Sequence, residues 1–376
     1  MSEMPGLTRC KHSITTSPMC IFASMAAATP VRKRRESDTD PALWARVRRL
    51  FRAWFGVPHA AATATPRVRC APVGGEARFR ATEQRLAAAN GLDVQERWVD
   101  IASPPGRVRV LEAGSGDPVV FLNGISAPGI GMAALAGRLP GHRHLLIDLP
   151  GHGLSPPYLW QGAPVREQAV NIITGVLDGL GIDQVTLVGN ALGGLFSLWF
   201  ALDRPSRVAR VVLVGQPAGA IAGARADLPM GMLTAPGLGR IVMEMARLPL
   251  PRSVVRMGLR PTVGPDGAQS LSDDIVDMHL LSMRVSGQAA SYRSLLRRLL
   301  VGRTPRPEVV LSDAELASFT VPLLFVWPED DRLLPPAAGK PSVDKIPTAR
   351  FVTTPGGLFA WYDDPDRCAA LVAEGL

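Results

Sequence analysis

Val185-Thr186-Leu187-Val188-Gly189-Asn190-Ala191-Leu192-Gly193-Gly194-Leu195-Phe196 is the segment that decides the fold. A short strand-type run leads into a glycine-bracketed turn, and an apolar helical stretch opens directly behind it. This is the strand, sharp turn and helix of the G-x-S-x-G pattern. Its small flanking residues let the central residue take up a strained backbone conformation and point into a site. Here the central residue is Ala191, and a methyl group cannot attack a carbonyl. Scaffold and chemistry therefore have to be read separately.

Outward from the turn, Leu111-Glu112-Ala113-Gly114-Ser115-Gly116-Asp117-Pro118 feeds the buried-strand run Val119-Val120-Phe121-Leu122, which ends at Asn123-Gly124. A second apolar run, Leu145-Leu146-Ile147, enters the loop Asp148-Leu149-Pro150-Gly151-His152-Gly153. With the Gly189–Gly193 turn, these segments resemble the α/β-hydrolase fold family from about Glu96 to the C-terminus. The resemblance implies a mostly parallel, doubly wound sheet with a helical cap inserted before the strand that carries the acid. The cap is expected at about 217–305, inside a domain of 92–376.

The same resemblance assigns the triad positions. Val321–Val326 fits the acid strand and places Asp331 as the triad carboxylate. The segment after the last strand, Pro355-Gly356-Gly357-Leu358-Phe359-Ala360-Trp361, puts Gly357 where the histidine base belongs. All six histidines lie elsewhere, at positions 12, 59, 142, 144, 152 and 279. Asn123 replaces the usual histidine of the oxyanion turn. Acyl transfer needs a nucleophile, a base and a carboxylate that orients the base, and loss of the nucleophile or base lowers turnover on the order of 10⁶-fold. Ala191 and Gly357 thus read as empty triad positions, and serine-type hydrolysis is not expected.

What remains is an apolar pocket with backbone N–H donors at Leu192 and Ile125 aimed at an oxyanion. Asn190 and Trp361 are expected beside it. Asp331 and Asn123 are the catalytic candidates, with Asp331 expected to have a raised pKa, since burial disfavours the charged form. The plainer readings are that Asp331 caps loop N–H groups or pairs with Arg332, and that Asn123 holds its own turn. His152 reads as structural, and His279 as a helix residue that could reach the pocket from the cap. A Met- and Leu-rich run, including Met230, Leu233 and Met243, points to an apolar or acyl ligand or to the cap's own core.

Three functions from different classes follow: isomerase, lyase or cyclase chemistry using Asp331; a pseudoenzyme that binds a small ligand or a partner; and residual esterase-like hydrolysis. No cofactor or metal is expected, because the four cysteines show no ligand spacing. Charge adds little about the site. Residues 1–70 hold 12 Lys and Arg against 4 Asp and Glu, whereas the remainder is balanced at 29 against 29, so nucleic acid is not an expected partner. Residues 1–40 read as a disordered basic arm, with a start at Met25 as the alternative. Residues 41–57 read as an amphipathic helix, with Trp44, Val47, Phe51 and Trp54 opposite Arg46, Arg48, Arg49 and Arg52. Its apolar face would dock on protein or lie at a membrane surface. Residues 58–91 read as a linker ending in the helix Glu83–Ala89. No apolar run is long enough to span a bilayer, and the expected location is cytoplasmic or membrane-peripheral.

Overall fold

The computed structural model describes residues 73–246, 250–264, 267 and 271–376. The arm and the amphipathic segment at 41–57 lie outside the described residues. Eight strands form one sheet in the order β1-β2-β4-β3-β5-β6-β7-β8: β1 Gln95–Ala102, β2 Pro105–Gly114, β3 Asp117–Leu122, β4 His142–Asp148, β5 Val185–Gly189, β6 Val208–Val214, β7 Leu323–Pro328 and β8 Ala349–Thr354. β2 runs antiparallel to β1 and β4, and every other pairing is parallel. Parallel strands covered on both faces read as continuous apolar runs, which is why Val119–Leu122 and Val185–Val188 stand out in the sequence.

Side chains alternate between the two faces. Val120, Leu122, Leu187 and Leu213 pack with α2 (Val165–Gly179) and α3 (Leu192–Asp203). Val119, Phe121, Val188 and Val214 pack with Phe79 and Leu86 of α1 (Val73–Ala89) and with Val372 of the C-terminal helix Pro365–Ala373. The helix expected at Glu83–Ala89 thus begins at Val73. Phe79, fully buried, makes the added turns part of the core. Every residue of α3 from Leu192 to Ala201 is buried, as expected for a helix that is apolar all round.

One internal ion cluster joins these layers. Arg109 of β2 is 2% exposed. Its Nη1 and Nη2 donate to the two Glu83 oxygens at 2.7 and 2.8 Å, Nη1 also donates to Asp148 Oδ2 at 2.9 Å, and Nε donates to Glu96 at 2.8 Å. Asp148 in turn accepts the Gly129 and Leu154 N–H groups at 2.8 and 3.0 Å. α1, β2 and the loops after β3 and β4 therefore share one set of charges.

Between β6 and β7 the described residues include the helices α4 Leu228–Thr234, α5 Leu238–Ala246, α6 Arg252–Leu259, α7 Asp273–Ser282 and α8 Gln288–Leu299, with a short helix Asp313–Ala317 ahead of β7. A two-residue ladder, Leu300–Val301 against Thr304–Pro305, closes the insertion. No helix among the described residues is long and apolar enough to cross a membrane.

Candidate active site

β5 ends at Gly189, and Ala191 stands at the apex of the turn with φ 44° and ψ −108° as the N-cap of α3. A non-glycine residue at positive φ stores on the order of 1–3 kcal/mol of strain, so the surroundings must impose it. Asn190 N donates to Leu122 O at 2.9 Å, and Gly193 N donates to Asn123 O at 3.1 Å and Asn190 O at 2.8 Å. Gly193 lies so close to β3 that a Cβ there would stand 1.8 Å from Leu122 O. That approach is open only to glycine, and it fixes the start of α3 against the end of β3.

Behind Ala191, the N–H groups of Leu192 and Ile125 have no acceptor among the described residues. Both residues line a cavity of about 280 Å³ between the turn and the cap, with Gly124, Ala191, Met230 and Leu233. Leu192 and Ile125, expected from the sequence to carry oxyanion-type donors, thus both line one cavity. Ser126, at φ 67°, completes the tight turn beside them.

The remaining site candidates divide. Asn123 spends its amide on its own turn, with Nδ2 donating to Pro128 O at 2.9 Å and Oδ1 accepting Gly124 N at 2.7 Å. Asn190 Nδ2 donates to Val214 O at 2.6 Å and Leu358 O at 2.9 Å, which fixes the amide orientation and leaves Oδ1 buried without a donor. Trp361 is buried, and its Nε1 donates to Gly131 O at 2.8 Å. It does not itself line the cavity but packs edge-on against Phe359, which does.

Asp331 is 2% exposed. Its Oδ2 accepts Gln216 N at 3.1 Å, and its Oδ1 accepts Leu333 N at 2.9 Å and Leu334 N at 3.3 Å. Burial pushes its pKa up, and the three N–H donors oppose that. The carboxylate holds the loop after β7 together and is not part of the cavity lining.

The space beside Gly357, where the base is expected, is filled by backbone. A Cβ on Gly357 would stand 2.6, 2.7 and 2.8 Å from C, Cα and N of Val263, in the chain after α6. That segment is latched in place. Asp363 accepts Gly264 N through both carboxylate oxygens at 2.8 and 2.9 Å and Gly357 N at 2.9 Å, while Phe359 N donates to Thr262 O at 2.8 Å.

Sequence reasoning gave too little weight to His279 of α7, which lines the cavity. Its ring lies 5.9 Å from that of Phe359 and 6.4 Å from that of Tyr362, and its Nε2 is buried without a partner. Burial lowers its pKa to about 4. Between an ordinary unfolded value near 6.5 and that lowered value, only the unfolded chain binds the proton. Stability is therefore complete above about pH 6.5 and falls as the pH drops towards 4. His279→Phe removes this contribution. Urea unfolding of the two proteins at pH 7 and pH 4.5 should show the wild type losing about 2 kcal/mol more than the variant. Parallel losses would mean that the imidazole is solvated in the folded protein.

A model of the alpha/beta hydrolase fold family matches residues 117–257. The 2-hydroxy-6-oxononadienedioate/2-hydroxy-6-oxononatrienedioate hydrolase of Cupriavidus pinatubonensis is 30% identical over 253 residues, covering 65% of this chain and 81% of that protein. The chain belongs to the α/β-hydrolase family. Among solved structures, the carboxylesterase CesB of Bacillus subtilis superposes with a TM-score of 0.62 at 18% identity, over 81% of this chain and 98% of that one. The meta-cleavage product hydrolase of Pseudomonas fluorescens IP01, solved as a serine-to-alanine mutant complexed with acetates, gives 0.59 at 20% identity, over 74% and 96%. At these identities the two structures speak for the fold alone.

Proposed function

We propose that this α/β-hydrolase-fold protein binds a small apolar or acyl compound bearing a carbonyl group beneath its cap, without serine-type hydrolysis. The observation that carries the reading is the combination at one cavity floor. Two unengaged N–H donors stand beside Ala191, which supplies no oxygen, and the space for a base at Gly357 is taken by Val263. Hydrolysis on this scaffold requires both missing groups, whereas holding a carbonyl oxygen requires only the donors. The curated relatives are named for 6-oxo compounds, which supports a carbonyl as the group those donors receive.

A second reading, proton-transfer chemistry of the isomerase or lyase kind, is favoured by His279. His279 lines the same cavity and its Nε2 is buried without a partner, whereas both oxygens of Asp331 are held by backbone. In that reading the imidazole, not Asp331, moves the proton.

Two measurements on the purified chain test the binding reading. A fluorophosphonate probe should leave the protein unlabelled, and heptan-2-one should give saturation-transfer NMR signals. Ala191→Met, which projects into the cavity from its floor, should weaken ketone binding at least about tenfold. Stoichiometric labelling, or ketone binding indifferent to that change, would sink the proposal.

A further inference from the structure

The cap wall of the same cavity holds two polar groups that the carbonyl-binding floor does not use. Asp227 precedes α4 and caps it, its Oδ1 accepting Met230 N at 2.7 Å. No described group donates to its other oxygen. Tyr292 of α8 is 8% exposed, and its hydroxyl has no described hydrogen-bond partner. Both residues line the cavity among Met230, Leu233, Leu296 and Leu299. They also act on one another: burial raises the Tyr292 hydroxyl pKa first, and the Asp227 charge adds to it. Burial likewise raises the Asp227 carboxyl, while the capping N–H and the nearby Arg303 guanidinium favour its charged form.

A half-buried carboxylate and a buried, unpartnered hydroxyl in an apolar wall leave hydrogen-bonding capacity for a ligand or water to meet. A ligand hydroxyl donates to the carboxylate and accepts from the phenol. A ligand carboxylate placed there sets like charges close together at low dielectric, where repulsion is poorly screened. Arg225 also lines the cavity, but it is exposed at the rim. Because Arg303 already offsets part of the Asp227 charge, the ligand need not be a cation.

Resting on the binding reading above, we propose that Asp227 and Tyr292 form a specificity pole for a ligand with a hydroxyl group at the end remote from its carbonyl, and that this pole excludes ligands ending in a carboxylate. The two ends of the cavity then read two different groups on one apolar chain, the oxyanion-type donors taking the carbonyl and the Asp227–Tyr292 pair taking the alcohol.

Three matched probes test this on the full chain by calorimetry or ligand-observed NMR: heptan-2-one, 7-hydroxyheptan-2-one and 6-oxoheptanoate. Wild-type protein should bind the hydroxy ketone at least about tenfold more tightly than the oxo acid. Asp227→Asn keeps the helix cap, since Asn caps as well as Asp. It should raise oxo acid affinity about tenfold and leave heptan-2-one unchanged. Tyr292→Phe should erase the advantage of the hydroxy ketone over heptan-2-one. Equal binding of hydroxy ketone and oxo acid, or a preference unmoved by either variant, overturns the pole while heptan-2-one binding keeps the cavity reading intact. If none of the three probes binds, both fall together.

Discussion

Gly357→His lowers stability by about 3 kcal/mol or more, and pairing it with Ala191→Ser does not restore esterase activity. The first half follows from close packing. Overpacked sites ordinarily lose about 1–3 kcal/mol when neighbouring side chains can shift. Here the obstacle is the Val263 backbone, within 2.8 Å of the new Cβ through three atoms. That segment is held by the Asp363 carboxylate and by Phe359, so it yields only if those hydrogen bonds break. Ala191→Ser alone adds one oxygen facing a cavity and should change stability by less than about 1 kcal/mol. The serine still lacks a proton acceptor, and a displaced histidine at 357 does not supply one. Turnover of p-nitrophenyl butyrate by the double variant should stay within about tenfold of background, far below the 10⁶ that a working triad supplies. Urea unfolding checks the first claim. A Gly357→His protein as stable as wild type would show that the Val263 segment is free to leave, and the base position would then be merely unoccupied.

Arg109→Leu should destabilise the fold by about 3–5 kcal/mol, the range for breaking a buried charge set by removing one member. Glu83, 4% exposed, and Asp148, 1% exposed, would be left facing each other without their cation. The damage should reach beyond β2, because Asp148 also holds the N–H groups of Gly129 and Leu154 and Glu83 ties α1 to the sheet. Amide exchange should therefore speed up in α1 and in both loops, not only along β2. Arg109→Leu combined with Glu83→Gln removes one orphaned charge and should recover part of the loss. A single variant within about 1 kcal/mol of wild type in urea would mean that water reaches this cluster.

The parts of the molecule legible in its sequence are those fixed by local backbone rules. Gly189, Gly193 and Gly194 announce the turn because close approach to β3 admits no side chain at 193. The apolar runs announce the central strands because both sheet faces are covered. Ala191, Leu192 and Ile125, named from the turns around them, line one cavity. What sequence does not carry is contact across long separations. Nothing near Gly357 shows that Val263, almost a hundred residues earlier, fills its space. Asp227 and Tyr292, 65 residues apart, are singled out by nothing in their local sequence, and only the cap's fold brings both to the cavity wall. Phe79 sits in a helix too weakly amphipathic to be assigned to the core beforehand. Asp331 left two roles open in the sequence, and of the N–H groups that hold it the local sequence points to those of its own loop but not to Gln216 after β6.

Ala191 keeps its left-handed backbone although nothing it carries can react. The bend is thus a property of how β3, β5 and α3 meet, sustained by the Gly193–Leu122 approach rather than by any service the side chain performs. A residue exchanged at this apex inherits an orientation already built, so new reactivity there would hinge on finding a proton acceptor among the cap side chains and not on reshaping the main chain.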